Sequence, residues 1–140
     1  MRWLGFLVSS LSCLVLTAVA AEVSTPDGIH ITAETTVADF KDGTITYTGN
    51  VTVTRGDVVL NADQIIEKRK NGERTEVVAL GDPVLFRDGS PDPGGIERGT
   101  AKKVVYSAVT AQIELTNFIL VDTDGNSTGG ITGVYRLNDS

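Results

Sequence analysis

From residue 29 onward the chain alternates apolar and polar positions. Ile29, Ile31 and Ala33 are interleaved with His30 and Thr32. Ile45, Tyr47, Gly49, Val51 and Val53 alternate with Thr46, Thr48, Asn50, Thr52 and Thr54, and Ile113, Leu115 and Asn117 with Gln112, Glu114 and Thr116. A period of two in segments rich in Val, Ile and Thr predicts strands with one buried face. Threonine serves the other face, because it is a good strand former that tolerates water. The best helical stretch is residues 60–70, but Leu60, Ile65 and Ile66 hold a helical stripe for only one turn.

Turn signals punctuate the apolar runs. Asp42-Gly43, Gly56-Asp57, Asn71-Gly72, Gly81-Asp82-Pro83, Asp88-Gly89 and Asp124-Gly125 are all of this type. Many short strands at such spacing predict an all-β sandwich, roll or barrel. The Ser90-Pro-Asp-Pro-Gly-Gly95 stretch predicts a loop.

With 140 residues, the chain has room for one domain. Its 12 Lys and Arg against 18 Asp and Glu give a net charge of −6. That balance argues against a nucleic-acid partner, whose phosphates call for a surplus of cations. The first 21 residues read as a separate unit. Arg2 precedes an uncharged apolar run, and Ala18-Val19-Ala20 ends it, followed by Ala21. Charge, apolar run and small-residue cleavage site are the three parts of a secretory signal, so 1–21 is expected to be a signal peptide and 22–140 the mature domain. Cleavage after Ala20 and after Ala21 both fit. Removing 1–21 takes away only Arg2 among charged residues, so 12 basic residues become 11 against 18 acidic ones. It also takes away Cys13, the single cysteine. An uncleaved membrane anchor is the alternative for this segment.

Little in the mature chain points to covalent chemistry. His30 is the only histidine, and its place between Ile29 and Ile31 turns it to their opposite face. Zinc sites of the His/Cys type and Cys/His nucleophiles are thereby excluded. Asp39, Asp63 and Asp82 are expected near strand ends, where carboxylates cap turns. Asp122-x-Asp124-Gly-Asn126 resembles a calcium loop only at its start. Position six is Ser127 and position twelve Gly133, where a glycine and a bidentate acid are required, so a polar hairpin turn is expected.

The stretch Ile45-Thr-Tyr-Thr-Gly-Asn-Val-Thr-Val-Thr-Arg-Gly-Asp-Val-Val-Leu-Asn-Ala-Asp63 resembles the core motif of the OstA-like family, and within it the LptA group of periplasmic lipopolysaccharide-transport proteins. Gly28-Ile-His-Ile31 resembles that family's first strand. Gly81-Asp-Pro-Val-Leu-Phe86 resembles its Gly-x-Pro-x-x-Phe strand, and Gly99-Thr-Ala-Lys-Lys-Val-Val-Tyr106 its Gly-x-Ala-x-x-x-x-Tyr strand. The pieces occur in the family's order over about residues 26 to 137. Two places depart from the pattern: Thr116 stands before Asn117 where a glycine is usual, and Gly133-Val134-Tyr135 replaces Gly-Asp-x-Ile-x-Tyr.

The resemblance implies a single open, twisted antiparallel β-jellyroll. It implies carriage of lipopolysaccharide from inner to outer membrane, without catalysis, cofactor or metal. Lipid A acyl chains would lie in an apolar groove, and LptC-like inner-membrane and LptD-like outer-membrane jellyrolls would be the partners, with head-to-tail copies of the chain between them. The groove candidates are Ile29, Ile31, Ile45, Tyr47, Val51, Val53, Leu60, Phe86, Tyr106 and Leu115, with Ile65, Ile113, Phe118 and Leu120 also expected to point inward. Ile29, Ile31, Phe86 and Tyr106 match the family's lipid-contacting strands. Each of these could equally be plain core. Lys68, Arg69, Lys70, Lys102 and Lys103 are candidates for lipid phosphates or for solvated strand ends. Two other readings stay open: an LptC-like jellyroll that keeps its N-terminal anchor, and a structural exported β-domain with a dry, closed core.

Overall fold

A computed structural model describes residues 21–24 and 28–136. Among the described residues nine strands make one antiparallel sheet: β1 (Ala21–Ser24), β2 (Ile29–Ala33), β3 (Thr35–Asp39), β4 (Thr44–Arg55), β5 (Val58–Lys70), β6 (Glu73–Asp88), β7 (Ile96–Ser107), β8 (Gln112–Asp122) and β9 (Ser127–Arg136). The order is β1-β2-β4-β5-β6-β7-β8-β9, with β3 joining β4 beside β2. Among the described residues β1 and β9 do not pair with each other, so the sheet stays open. From β4 onward it is a meander of hairpins; three of its five connections are tight Gly-containing turns, at 56–57, 71–72 and 123–126. Residues 60–70 fall within β5, so the short helical stripe there is overridden by strand pairing on both sides. The expected signal sequence, Cys13 included, lies outside the described residues except for Ala21.

The strands are long because they run through a bend. Regular pairing breaks at Gly49-Asn50 on β4, at Ala62-Asp63 on β5 and at Gly81-Asp82-Pro83 on β6. Neighbouring gaps follow at Lys102 on β7 and Asn117 on β8. These positions align into a seam across the sheet. Bulges insert residues, bend the strand and change which side chains face inward. On β5 the inward set runs Leu60, Ala62 before the seam and Ile65, Glu67 after it. Val77 and Ala79 switch to Val84 and Phe86 on β6, and Gly99 and Ala101 switch to Val104 and Tyr106 on β7. Each strand thus keeps an apolar inner face on both sides of the bend, and the two halves face each other.

Local chemistry builds the seam. Gly49 and Asn50 both have positive φ, +85° and 44°. Glu34 N–H donates to the Gly49 carbonyl at 3.0 Å, and Asn50 Nδ2 donates to Glu34 Oε1 at 2.6 Å. A Cβ at Gly49 would run into the Glu34 side chain. The Tyr-Thr-Gly-Asn-Val motif therefore marks a kink rather than a plain strand. Asn117 is also left-handed, with φ 47°. Asparagine tolerates that conformation better than most residues.

Two sequence expectations need correction. Gly81-Asp82-Pro83 does not separate two strands; it is a bulge inside β6. Asp63 and Asp82 accordingly lie at the seam in mid-strand, both exposed, and not at strand ends. Asp39 does cap a turn, accepting from the N–H groups of Lys41 and Asp42 at 2.9 and 3.0 Å.

The main core cluster joins Ile31, Ala33, Tyr47, Val51, Ala62, Ile65, Ala79 and Val84 from β2, β4, β5 and β6. A smaller one joins Ala101, Leu115, Phe118 and Leu120 from β7 and β8.

Candidate functional site

Between the two clusters the inner face does not close. An apolar groove of about 390 Å³ runs along β5 to β8, with Val53 of β4 and Tyr135 of β9 at its ends. One wall carries Leu60, Val84, Phe86, Ile96 and Leu120, and the other Ile65, Val77, Val104, Tyr106 and Leu115. The seam separates the two sets, so each long strand contributes to both walls. Its volume lies within the range of small-molecule sites.

Of the ten groove candidates, Val53, Leu60, Phe86, Tyr106 and Leu115 line this groove. The other five lie on the same inner face but beside it. Ile31, Tyr47 and Val51 are buried in the main cluster, with Ile29 and Ile45 packed against it. Ile65, Ile113 and Leu120 line the groove as well, and Phe118 sits in the smaller cluster beneath it. The lining residues that alternation does not single out are chiefly Val77, Ala79, Val84, Ile96 and Val104. Val77 and Ala79 sit in the near-continuous run Val77-Val78-Ala79-Leu80, where period two carries no phase. Val104 could have been found by counting back two residues from Tyr106.

At one end the inner face turns ionic. Glu67 is only 2% exposed, and its Oε1 accepts from Arg69 Nη2 at 2.8 Å and from Arg74 Nε at 2.8 Å. It lies opposite Ile45 and Val77 in the ladders, the second of which lines the groove. A carboxylate this deep needs such partners, since an unpaired buried charge is strongly unfavourable. Burial, and then the Glu67 charge beside it, hold the Tyr47 phenol above its usual pKa.

The other polar candidates sit outside. His30 faces solvent with Nδ1 3.5 Å from Glu22 Oε1. Lys68 pairs with Glu76 at 3.1 Å, while Lys102 and Lys103 are exposed near the seam. Asp122 Oδ1 accepts from the Asp124 and Asn126 N–H groups at 2.9 and 2.8 Å, which makes this a closed hairpin turn. Hydrogen bonds from Asn126, then from the Asp124 and Gly125 backbone, keep its pKa below the ordinary aspartate value.

The chain resembles known proteins over most of its length. It is 32% identical over 126 residues to the lipopolysaccharide export system protein LptA of Escherichia coli K12, covering 88% of this chain and 68% of that protein. The LptA of Haemophilus influenzae is 33% identical over 92 residues, covering 64% of this chain and 53% of its own length. The fold matches the crystal structure of LptH, described as the LptA-homologous periplasmic component of the lipopolysaccharide transport device of Pseudomonas aeruginosa, with a TM-score of 0.65 at 22% identity over 79% of each chain. A family model described as LptA/(LptD N-terminal domain) LPS transport protein matches residues 30–138, and to that family this chain belongs.

Proposed function

We propose that this protein binds lipopolysaccharide in the periplasm and carries it from the inner to the outer membrane. The acyl chains lie in the groove between the two halves of the bent sheet, and the sugars stay in water. The observation that carries this reading is the groove itself, apolar on both walls and left unfilled by the core clusters on either side. Moving an acyl chain from water into such a space is favourable by about 0.8 kcal/mol per CH₂. No bond is made or broken, so the protein acts as a carrier and not as an enzyme. A dry, closed structural domain fits the geometry less well, because its inner face would be packed shut.

Residues 1–21 act as a cleaved signal in this reading. The open edges β1 and β9 take LptC-like and LptD-like jellyrolls, or further copies of the chain, by strand addition. An LptC-like anchored form is the alternative, and sequencing the N-terminus of the protein from cells separates the two.

The deciding experiment places a photo-crosslinking residue at Phe86, at Leu115 and, as an outward control, at His30, in cells that make lipopolysaccharide. Adducts at Phe86 and Leu115 but not at His30 are expected. A folded, exported protein with no adduct at either groove position overturns the reading.

A further inference from the structure

The outer face of the sheet should be polar, yet behind β6 and β7 it holds a second cavity of about 490 Å³ that is largely apolar. Two rows of side chains form it. Val59, Arg87, Arg98 and Val121 are successive ladder partners across β5, β6, β7 and β8. In the next row Leu85 and Ile119 flank Thr100. Leu85 is 47% exposed and Ile119 53% exposed. Ile119 lies uncovered because its partner on β9 is Gly129, which has no side chain to lay over it.

The two arginines stand directly opposite each other on neighbouring strands. Like charges in that position repel. Neither arginine side chain has an ion pair or hydrogen bond among the described residues, while the nearest arginine cluster, Arg69 and Arg74, is held by Glu67. This uncompensated pair sits in a chain with an acidic surplus. An anion placed between them would relieve the repulsion, and two planar guanidiniums suit a tetrahedral oxyanion bound by paired N–H donors.

We propose that this outer face is a second binding site, separate from the inner groove, for the phosphate group of an anionic amphiphile whose apolar part lies over Leu85 and Ile119. A phosphate monoester carries close to two negative charges, matching two arginines. The apolar flanks distinguish an amphiphile from a free anion. A peptide partner is disfavoured because β6 and β7 are paired on both sides, so no free backbone edge is available for strand addition.

The test uses the mature chain and amide chemical shifts, with monomeric dodecyl phosphate, neutral dodecyl maltoside and inorganic phosphate as probes. Dodecyl phosphate is expected to shift Leu85, Ile119 and Val121, which line the outer cavity and not the inner groove. The double variant Arg87→Gln/Arg98→Gln should weaken that response at least tenfold and leave the Tyr106 and Leu115 response of the inner groove unchanged. Arg87→Lys/Arg98→Lys, which keeps the charge and loses the fork, should fall between. Equal response to the maltoside, equal affinity for inorganic phosphate, or indifference to the double variant would each overturn the proposal. Because Tyr106 and Leu115 are read in the same spectra, failure of the inner groove shows up separately.

Discussion

The ring of Phe118 occupies the space that Gly133 leaves empty: a Cβ on Gly133 would stand 2.6 Å from both Cε1 and Cζ of the ring. Phe118 lies opposite Gly130 in the ladder, and the gap at Asn117 lets its ring reach along β9. The glycines of β9 thus make room for the aromatic floor of the smaller cluster. Gly133→Val is expected to displace the ring and cost about 1–3 kcal/mol, the usual range for overpacking. Urea unfolding of the variant, with the midpoint compared at constant slope, checks this.

Glu67 holds two arginines through one oxygen. Glu67→Gln keeps the shape and removes the charge, leaving Arg69 and Arg74 facing each other. Removing one partner of a fully buried pair costs about 3–5 kcal/mol. Arg69 is 37% exposed, so water screens part of that, and a loss of about 2–3 kcal/mol is expected. Glu67→Leu tests whether packing alone restores stability. A Glu67→Gln protein as stable as the parent in thermal melts would contradict the ion cluster's role.

Tyr47 gives the pH dependence a definite sign. Its pKa is raised in the folded state, first by burial and then by Glu67. The neutral phenol is therefore favoured by folding. Its contribution is fully present below the unfolded phenol value of about 10 and is lost as pH rises through the folded value. Stability should fall at alkaline pH more steeply in the parent than in Tyr47→Phe. Following tyrosinate absorbance together with unfolding from pH 9 to 12 measures both.

Val104 points into the groove from the middle of β7, and it is only partly buried. Val104→Asp puts a carboxylate where acyl chains are proposed to lie, and desolvating it should lower affinity for a fluorescent fatty-acyl probe at least tenfold. Val104→Leu, which stays apolar, should bind within threefold of the parent. Equal probe binding by the aspartate variant, with circular dichroism unchanged, would remove the groove from consideration as a lipid site.

Much of this architecture is legible in the sequence. Alternation at 29–33, 45–54 and 112–117 identifies strands, because the side-chain period of a strand is fixed by backbone geometry alone. Five of the six turn signals fall between strands, since Asp-Gly and Asn-Gly are tied to local φ values. The Tyr-Thr-Gly-Asn-Val stretch and its companions placed the chain near its family. The sixth signal, Gly81-Asp82-Pro83, misled because a glycine–proline break within a strand looks locally like a turn. Only pairing with β5 and β7 on both sides distinguishes a bulge from a chain reversal.

Sequence by itself determined that this is an all-β chain with one apolar face per strand, for local reasons: residue type, period and turn chemistry. Tertiary structure decided which inward residues are core and which line the groove. Ile31 and Leu115 look alike in the sequence, but Ile31 packs into the main cluster while Leu115 reaches the open space. That division depends on where the seam bends the sheet and how far apart the two halves then stand. It also decided that Arg87 and Arg98 are neighbours without counter-ions, although eleven positions separate them along the chain. Register across a sheet is a long-range property, and no local pattern encodes it.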